Sequence, residues 1–307
     1  MIVVILIKKI ISLFLIMALG ALLVRTKVLK AQESRVLSLL SIYLISPCMI
    51  LSSFQVACTE EVRNGLLLAF GAALIIHVGW VGINMILRKP LHLEAVEQAS
   101  IIYTNAGNLI VPIVIALLGK EWVIYTSAYI AVQLVWMWSH GKSVLCGETK
   151  MDWKKVFTNM NMIAVMVGAV MFLTGIRLPA FLLDTTDSIG SMIGPVAMLV
   201  TGMLIGNADL KKIVSSVRVW KTALLRLIVF PLFVLVFLKF SGIAGLVENG
   251  RQILLITFMA TITPAASTIT QMAQIYGRDA DYASAINVVT TLTCMVTMPI
   301  MVMLYQM

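Results

Sequence analysis

Ten apolar stretches, each close to the length needed to cross a bilayer, follow one another along this chain. A membrane helix needs about 20 apolar residues. The stretches fall at 10–24 (with a start as early as Ile2), 36–54, 66–87, 98–118, 122–138, 160–176, 188–206, 219–238, 253–275 and 282–305. Lys8 and Lys9 interrupt the first, so it either begins after them or lets them reach for the surface. The longest gap, 139–159, is too short for a separate soluble domain. Only 12% of the 307 residues are charged and 60% are hydrophobic. A soluble domain carries about 25% charged residues. Aqueous folding is excluded, and a soluble enzyme with it. The net charge of +9 sits in the gaps between apolar runs. It therefore reads as membrane flanks and not as a nucleic-acid surface. Cys48, Cys58, Cys146 and Cys294 are scattered without metal or disulfide spacing. No cofactor is expected, and the first run shows no cleavage site for a signal peptide.

Lys and Arg in the gaps set orientation. Odd-numbered gaps hold Arg25, Lys27, Lys30, Arg35, Arg88, Lys89, Lys142, Lys150, Lys154, Lys155, Lys211, Lys212, Arg218 and Arg278, which is 14. The N-terminus and even gaps hold Lys8, Lys9, Arg63, Lys120, Arg177, Lys239 and Arg251, which is 7. The odd gaps are therefore expected in the cytoplasm and both termini outside. Landmarks also recur. Gly20 and Gly168, and Pro47 and Pro195, are each 148 apart. Pro112 and Pro264 are 152 apart, and Gly119 and Gly277 are 158 apart. The shared order predicts two five-span repeats, residues 1–146 and 157–307. Five is odd, so the second copy enters the membrane from the opposite side, an inverted repeat of the kind found in secondary transporters.

Each half carries one polar interruption at a matching place. Span four reads from Ser100 to Pro112 and holds Asn105, Gly107 and Asn108. Span nine holds Pro264 among Thr261, Thr263, Ser267 and Thr268. Proline breaks a helix and suits the first turn of one that restarts, so the breaks are expected at Pro112 and Pro264, with Thr263 as an N-cap. Two restarting helices would aim positive dipole ends at one point, an anion site without cationic side chains. The alternative at each proline is a kink with no ligand.

At these residues the chain resembles the auxin efflux carrier family, which includes plant auxin exporters and bacterial malate and malonate permeases. Asn105 stands seven residues before Pro112, and Gln133-x-x-Trp136 matches a span-five run of the family. Asn159-Met160-Asn161 lies nine residues before Gly168, as an Asn-Pro-Asn element does in the family, without its proline. Pro264 is followed twelve residues on by Tyr276. Ala265-Ala266 replaces the Gln-Gly of plant exporters, and the long cytoplasmic loop is absent. Both features favour a bacterial-type permease. The resemblance implies an all-α fold of ten membrane helices like that of bile acid sodium symporters. Spans 1, 2, 6 and 7 would form a scaffold. Spans 3–5 and 8–10 would form a transport domain in which the broken helices cross. It implies elevator-like transport of organic carboxylates, a bacterial cytoplasmic-membrane location and a homodimer.

Asn105 is read as gripping a carboxylate through its amide, the alternative being a bond to the broken backbone. Asn108, Pro112 and Pro264 flank the same point. Thr261, Thr263, Ser267 and Thr268 offer hydroxyls to it, or bond their own helix carbonyls. Gln133 and Asn287, on spans five and ten, would line the site, and Asn161 would close it from the scaffold. Gln271 is either a packing amide or a ligand. Arg226 is the one arginine well inside a span, either functional or snorkelling. His77 is either a proton relay or a packing residue. No Asp or Glu falls in the span cores, so a coupling ion, H⁺ or Na⁺, would rely on His77 or on carbonyls and hydroxyls. The leading class is a carrier. An anion channel or a non-transporting anion sensor is the alternative, and an intramembrane enzyme finds no motif.

Overall fold

The computed structural model describes residues 2–147 and 153–307, without the side chains of Ile2, Val3, Lys155 and Lys212. Lys150, counted above among the cytoplasmic charges, lies outside the described residues. The described residues are mostly helical, and the one β-contact among them is an isolated antiparallel bridge between Thr104 and Ala265. Six helices are long and apolar enough to cross a membrane. They are α1 (Ile2–Arg25), α2 (Ala31–Ser53), α3 (Glu60–Leu87), α8 (Ala180–Asn207), α9 (Val217–Phe240) and α12 (Ala280–Gln306). Between them lie α4 (Ala95–Ile102), α5 (Ala106–Leu117), α6 (Val123–Trp136, continuing helically to Cys146), α7 (Met160–Thr174), α10 (Gly250–Thr261) and α11 (Ser267–Ile275).

The starts and stops are written locally. Thr59, Asn159, Ser216 and Asp279 each accept a backbone N–H of the first turn, capping α3, α7, α9 and α12. Gly175 takes φ +72° just past α7, a left-handed stop that only glycine adopts without strain. α1 runs straight through Lys8 and Lys9, which stay at the surface.

Two groups of helices pack most closely within themselves. α1 lies along α8, and α2 packs on α7 and α8. α3 packs on α6 and α10, and α12 on α9 and α11. The α1–α8 seam is built from small residues. A Cβ added at Gly202 would overlap the Met17 carbonyl, one at Gly20 would lie 2.5 Å from the Leu199 carbonyl, and one at Gly206 2.7 Å from that of Ala21. Gly202-x-x-x-Gly206 is thus a small-residue stripe that lets two backbones approach closely, the usual way membrane helices associate.

α5 meets the first group through Pro112, whose ring lies against Gly194 of α8. The helix is not broken there: Pro112 is the seventh residue of α5. The interruption lies at 103–105, before α5 begins. The expectation of a break at Pro112 is corrected accordingly. A proline removes one hydrogen bond, whereas an extended segment paired elsewhere removes a whole turn. Two polar contacts also join the groups. The Ser53 and Ser127 hydroxyls are 2.9 Å apart, and Asp187 on α8 accepts from both Ser52 and Lys120. Lys120 is half exposed, so neutralising it by Lys120→Ala should cost no more than about 1 kcal/mol of stability by thermal melting. Such a pair can break and re-form without unfolding anything.

Candidate anion site at the paired breaks

Tyr103–Asn105 and Ile262–Ala266 interrupt their helices at the same point in space and bond to each other. Asn105 N–H donates to the Pro264 carbonyl at 2.9 Å, and Ala266 N–H to the Tyr103 carbonyl at 3.0 Å. Broken backbone inside a membrane protein must find partners, because nothing in the hydrocarbon supplies them. Here neighbouring side chains complete the set. Gln133 of α6 accepts from Thr104 N–H (3.0 Å) and from its hydroxyl (2.7 Å), and its amide donates to the Thr104 carbonyl (2.9 Å). Across the site Asn287 of α12 donates to the Ala265 carbonyl (2.6 Å), and Thr290 accepts from Ala265 N–H (3.1 Å). Gln133 and Asn287 therefore face the breaks, and their bonds go to the broken backbone.

Arg226 completes the arrangement. It is fully buried in α9 and does not snorkel. One guanidinium nitrogen donates to the Ile101 carbonyl (3.2 Å), and the other to those of Thr261 (2.8 Å) and Thr263 (2.9 Å). Ile101 and Thr261 lie in the last turns of α4 and α10. The arginine thus holds the negative ends of both helices that run into the breaks. Its charge also lies 5.1 Å from the centre of the Trp80 ring.

The helices that leave the breaks are left open. α5 starts at Ala106 with Asn105 in the N-cap position, its side chain making no cap bond. α11 starts at Ser267 with Ala266 in that position. The first-turn N–H groups of Ala106, Gly107, Asn108, Ser267 and Thr268 have no backbone partner among the described residues. Asn105 Oδ1 accepts from Asn108 Nδ2 at 2.9 Å, which leaves the Asn105 amide N–H₂ free. The Ser267 and Thr268 side chains, half-buried like Asn105 and Asn108, are also free of partners among the described residues. Two positive helix ends, amides and hydroxyls together make an anion-binding surface.

Other expected members stand elsewhere. Thr263 does not cap α11; its hydroxyl donates to the Ala260 carbonyl (2.9 Å), and that of Thr261 to Phe258 (2.6 Å), both fully buried. Pro264 sits in the extended segment, where its missing N–H leaves nothing unpaired. Asn161 lies at the start of α7, where Asn159 caps its N–H at 3.0 Å. No hydrogen bond among the described residues joins it to the breaks. His77 Nδ1 donates to the Ala73 carbonyl (2.8 Å), and its ring packs 5.1 Å from Tyr129. Its Nε2, like Arg226 Nε and the Tyr129 hydroxyl, is buried without a partner among the described residues.

Sequence reasoning missed a buried carboxylate. Glu97 in α4 is fully buried and accepts from Tyr282 at 2.9 Å, with Lys221 at 3.2 Å and Arg218 at 3.7 Å. Lys221 of α9 is its partner. The signal was the Glu94-x-x-Glu97 pair at a helix start, where Glu97 accepts the Glu94 N–H at 2.7 Å.

A search of curated proteins gives no match. The family model described as membrane transport protein matches residues 5–148 and 144–302, nearly the whole chain. Transport, not catalysis, is what that family does. The chain belongs to this auxin-efflux-carrier-like family of membrane transport proteins and is an integral membrane protein.

Proposed function

We propose that the protein is a secondary carrier for small organic carboxylates, bound where α5 and α11 begin. The observation that carries this reading is the pair of unpartnered helix starts beside one point, flanked by the free amide of Asn105 and the hydroxyls of Ser267 and Thr268. Asn108 supports Asn105 through its own amide. We read the ten spans as two inverted fives, with α1, α2, α7 and α8 as scaffold and the remaining helices moving as an elevator. The supports at the two breaks favour this symmetry: Gln133 and Asn287 hold them from the second helix after each break, 154 residues apart (287 − 133). The small-residue α1–α8 seam suits a rigid scaffold, while the few polar contacts between the groups suit movement. A bacterial cytoplasmic membrane, termini outside and a homodimer complete the proposal.

The test is uptake of labelled malate, malonate and indole acetate by purified protein in liposomes. Saturable uptake is expected. Unsaturable flux above carrier rates would indicate a channel, and binding without flux a sensor. A hydrogen bond to a charged group is worth about 1.5–3 kcal/mol, or roughly 10–100-fold in affinity. Asn105→Ala should raise the half-saturating concentration by about that factor without lowering the melting temperature. Unchanged uptake by Asn105→Ala sinks the site assignment.

A further inference from the structure

Three backbone carbonyls from two different helix ends converge on Arg226. Converging carbonyls are how proteins replace the water around a small cation. The electrostatics have the same sense. Each helix C-terminus carries roughly half a negative charge, so α4 and α10 together present about −1. One guanidinium balances that. No carboxylate pairs with Arg226 among the described residues, so the carbonyls are its counter-charge. The residue sits in a π-helical turn, Leu225–Val229, and such widened turns gather at functional positions.

We propose that Arg226 is a tethered cation: its guanidinium permanently fills a carbonyl-lined cation site between the ends of α4 and α10, and removing it leaves a site that a free cation can occupy. Arg226 is thus a positioning residue. It acts on the substrate through the two breaks, whose far sides form the anion surface. The inference rests on the carrier reading for its transport arm, but not for its binding arm. A merely structural arginine predicts an irreparable variant. A tethered cation predicts one that a soluble cation repairs.

The experiment compares wild type, Arg226→Ala and Arg226→Lys in choline chloride, sodium chloride and guanidinium chloride, each at about 20 mM and equal ionic strength. Melting temperature in detergent reads binding, and carboxylate uptake into liposomes reads function. Wild type should be indifferent to the salt in both. Arg226→Ala should lose uptake at least about tenfold in choline, the effect of about 1.4 kcal/mol. It should regain uptake and melt higher in guanidinium, and to a lesser degree in sodium. Arg226→Lys keeps a charge on the tether and should remain indifferent to sodium. If Arg226→Ala does not fold, Arg226→Lys decides the matter. Folded and active without added cation, it supports the proposal; folded but inactive and unresponsive, it overturns it. Sodium-stimulated wild type, or Arg226→Ala that is fully active in choline or that no cation repairs, also overturns it. If wild type moves no carboxylate, the carrier reading fails, while the melting comparison still tests Arg226.

Discussion

Gly202→Val is expected to unfold or dissociate the α1–α8 seam. The added Cβ would fall on the carbonyl oxygen of Met17 and lie against the backbone of Ala21, and valine adds two methyls beyond it. Overpacking a core costs about 1–3 kcal/mol when side chains can give way, and more when they cannot. Here the obstacle is backbone on a neighbouring helix, so a loss of at least about 3 kcal/mol is expected. Detergent-solubilised protein should melt well below wild type or lose its monodisperse elution peak. Gly82→Ala is the control with the opposite sign. Nothing lies within 4 Å of a Cβ at that position on α3. Removing a mid-helix glycine should therefore raise stability by about 0.5–1 kcal/mol. Equal melting of Gly202→Val and wild type would show that the two helices do not touch as described.

Gln133→Leu should be nearly as damaging for a different reason. A single interhelical hydrogen bond in a membrane protein averages about 0.6 kcal/mol, because an alternative partner is usually near. Thr104 relies on one side chain for three groups, with only the Tyr129 hydroxyl beside its own as a substitute. Its N–H, carbonyl and hydroxyl all turn to Gln133, and the residue is buried in an extended segment without helical partners. Each group left unpaired costs about 1–3 kcal/mol, so a total on the order of 4 kcal/mol is expected. Uptake should vanish with it, since the start of α5 depends on the shape of the break. Ser139→Ala, six residues further along the same helical stretch, removes a hydroxyl that bonds only its own helix carbonyls. It should change stability by less than about 0.5 kcal/mol. Melting curves of the two variants decide between a structural break and a dispensable amide.

The membrane class, the apolar spans and the polar nature of the breaks were legible in the sequence because they follow from composition and length. The position of the first break was not. Pro112 is the stronger local signal, but a single missing N–H is tolerated inside α5. The actual interruption at 103–105 is held by Gln133 of α6 and by the extended segment before α11, with Arg226 of α9 on the helix end leading into it, and no local pattern reveals these partners. Asn105 stands out in the sequence as a polar residue inside a membrane span, and the structure puts it at the N-cap position of α5. Thr261 and Thr263 looked equivalent to Ser267 and Thr268 in sequence. The structure separates them: the hydroxyls of Thr261 and Thr263 bond back to carbonyls of α10, while those of Ser267 and Thr268 have no partner among the described residues. The partners of Arg226, and Glu97 altogether, were hidden by the same rule. Each is a charge whose partners come from other helices, carbonyls for one and Lys221 with Tyr282 for the other.

The charge on Arg226 has a further consequence if α9 moves with the substrate. Buried Glu97 already has Lys221 beside it. At the breaks, the charge left to offset is that of Arg226: a bound monocarboxylate neutralises it, and without substrate it stands uncompensated. A unit charge crossing 100 mV changes energy by about 2.3 kcal/mol, and a partial crossing by proportionally less. An inside-negative membrane potential would therefore leave the loaded step alone and draw the empty carrier toward the cytoplasm. That is the direction in which an exporter must reset.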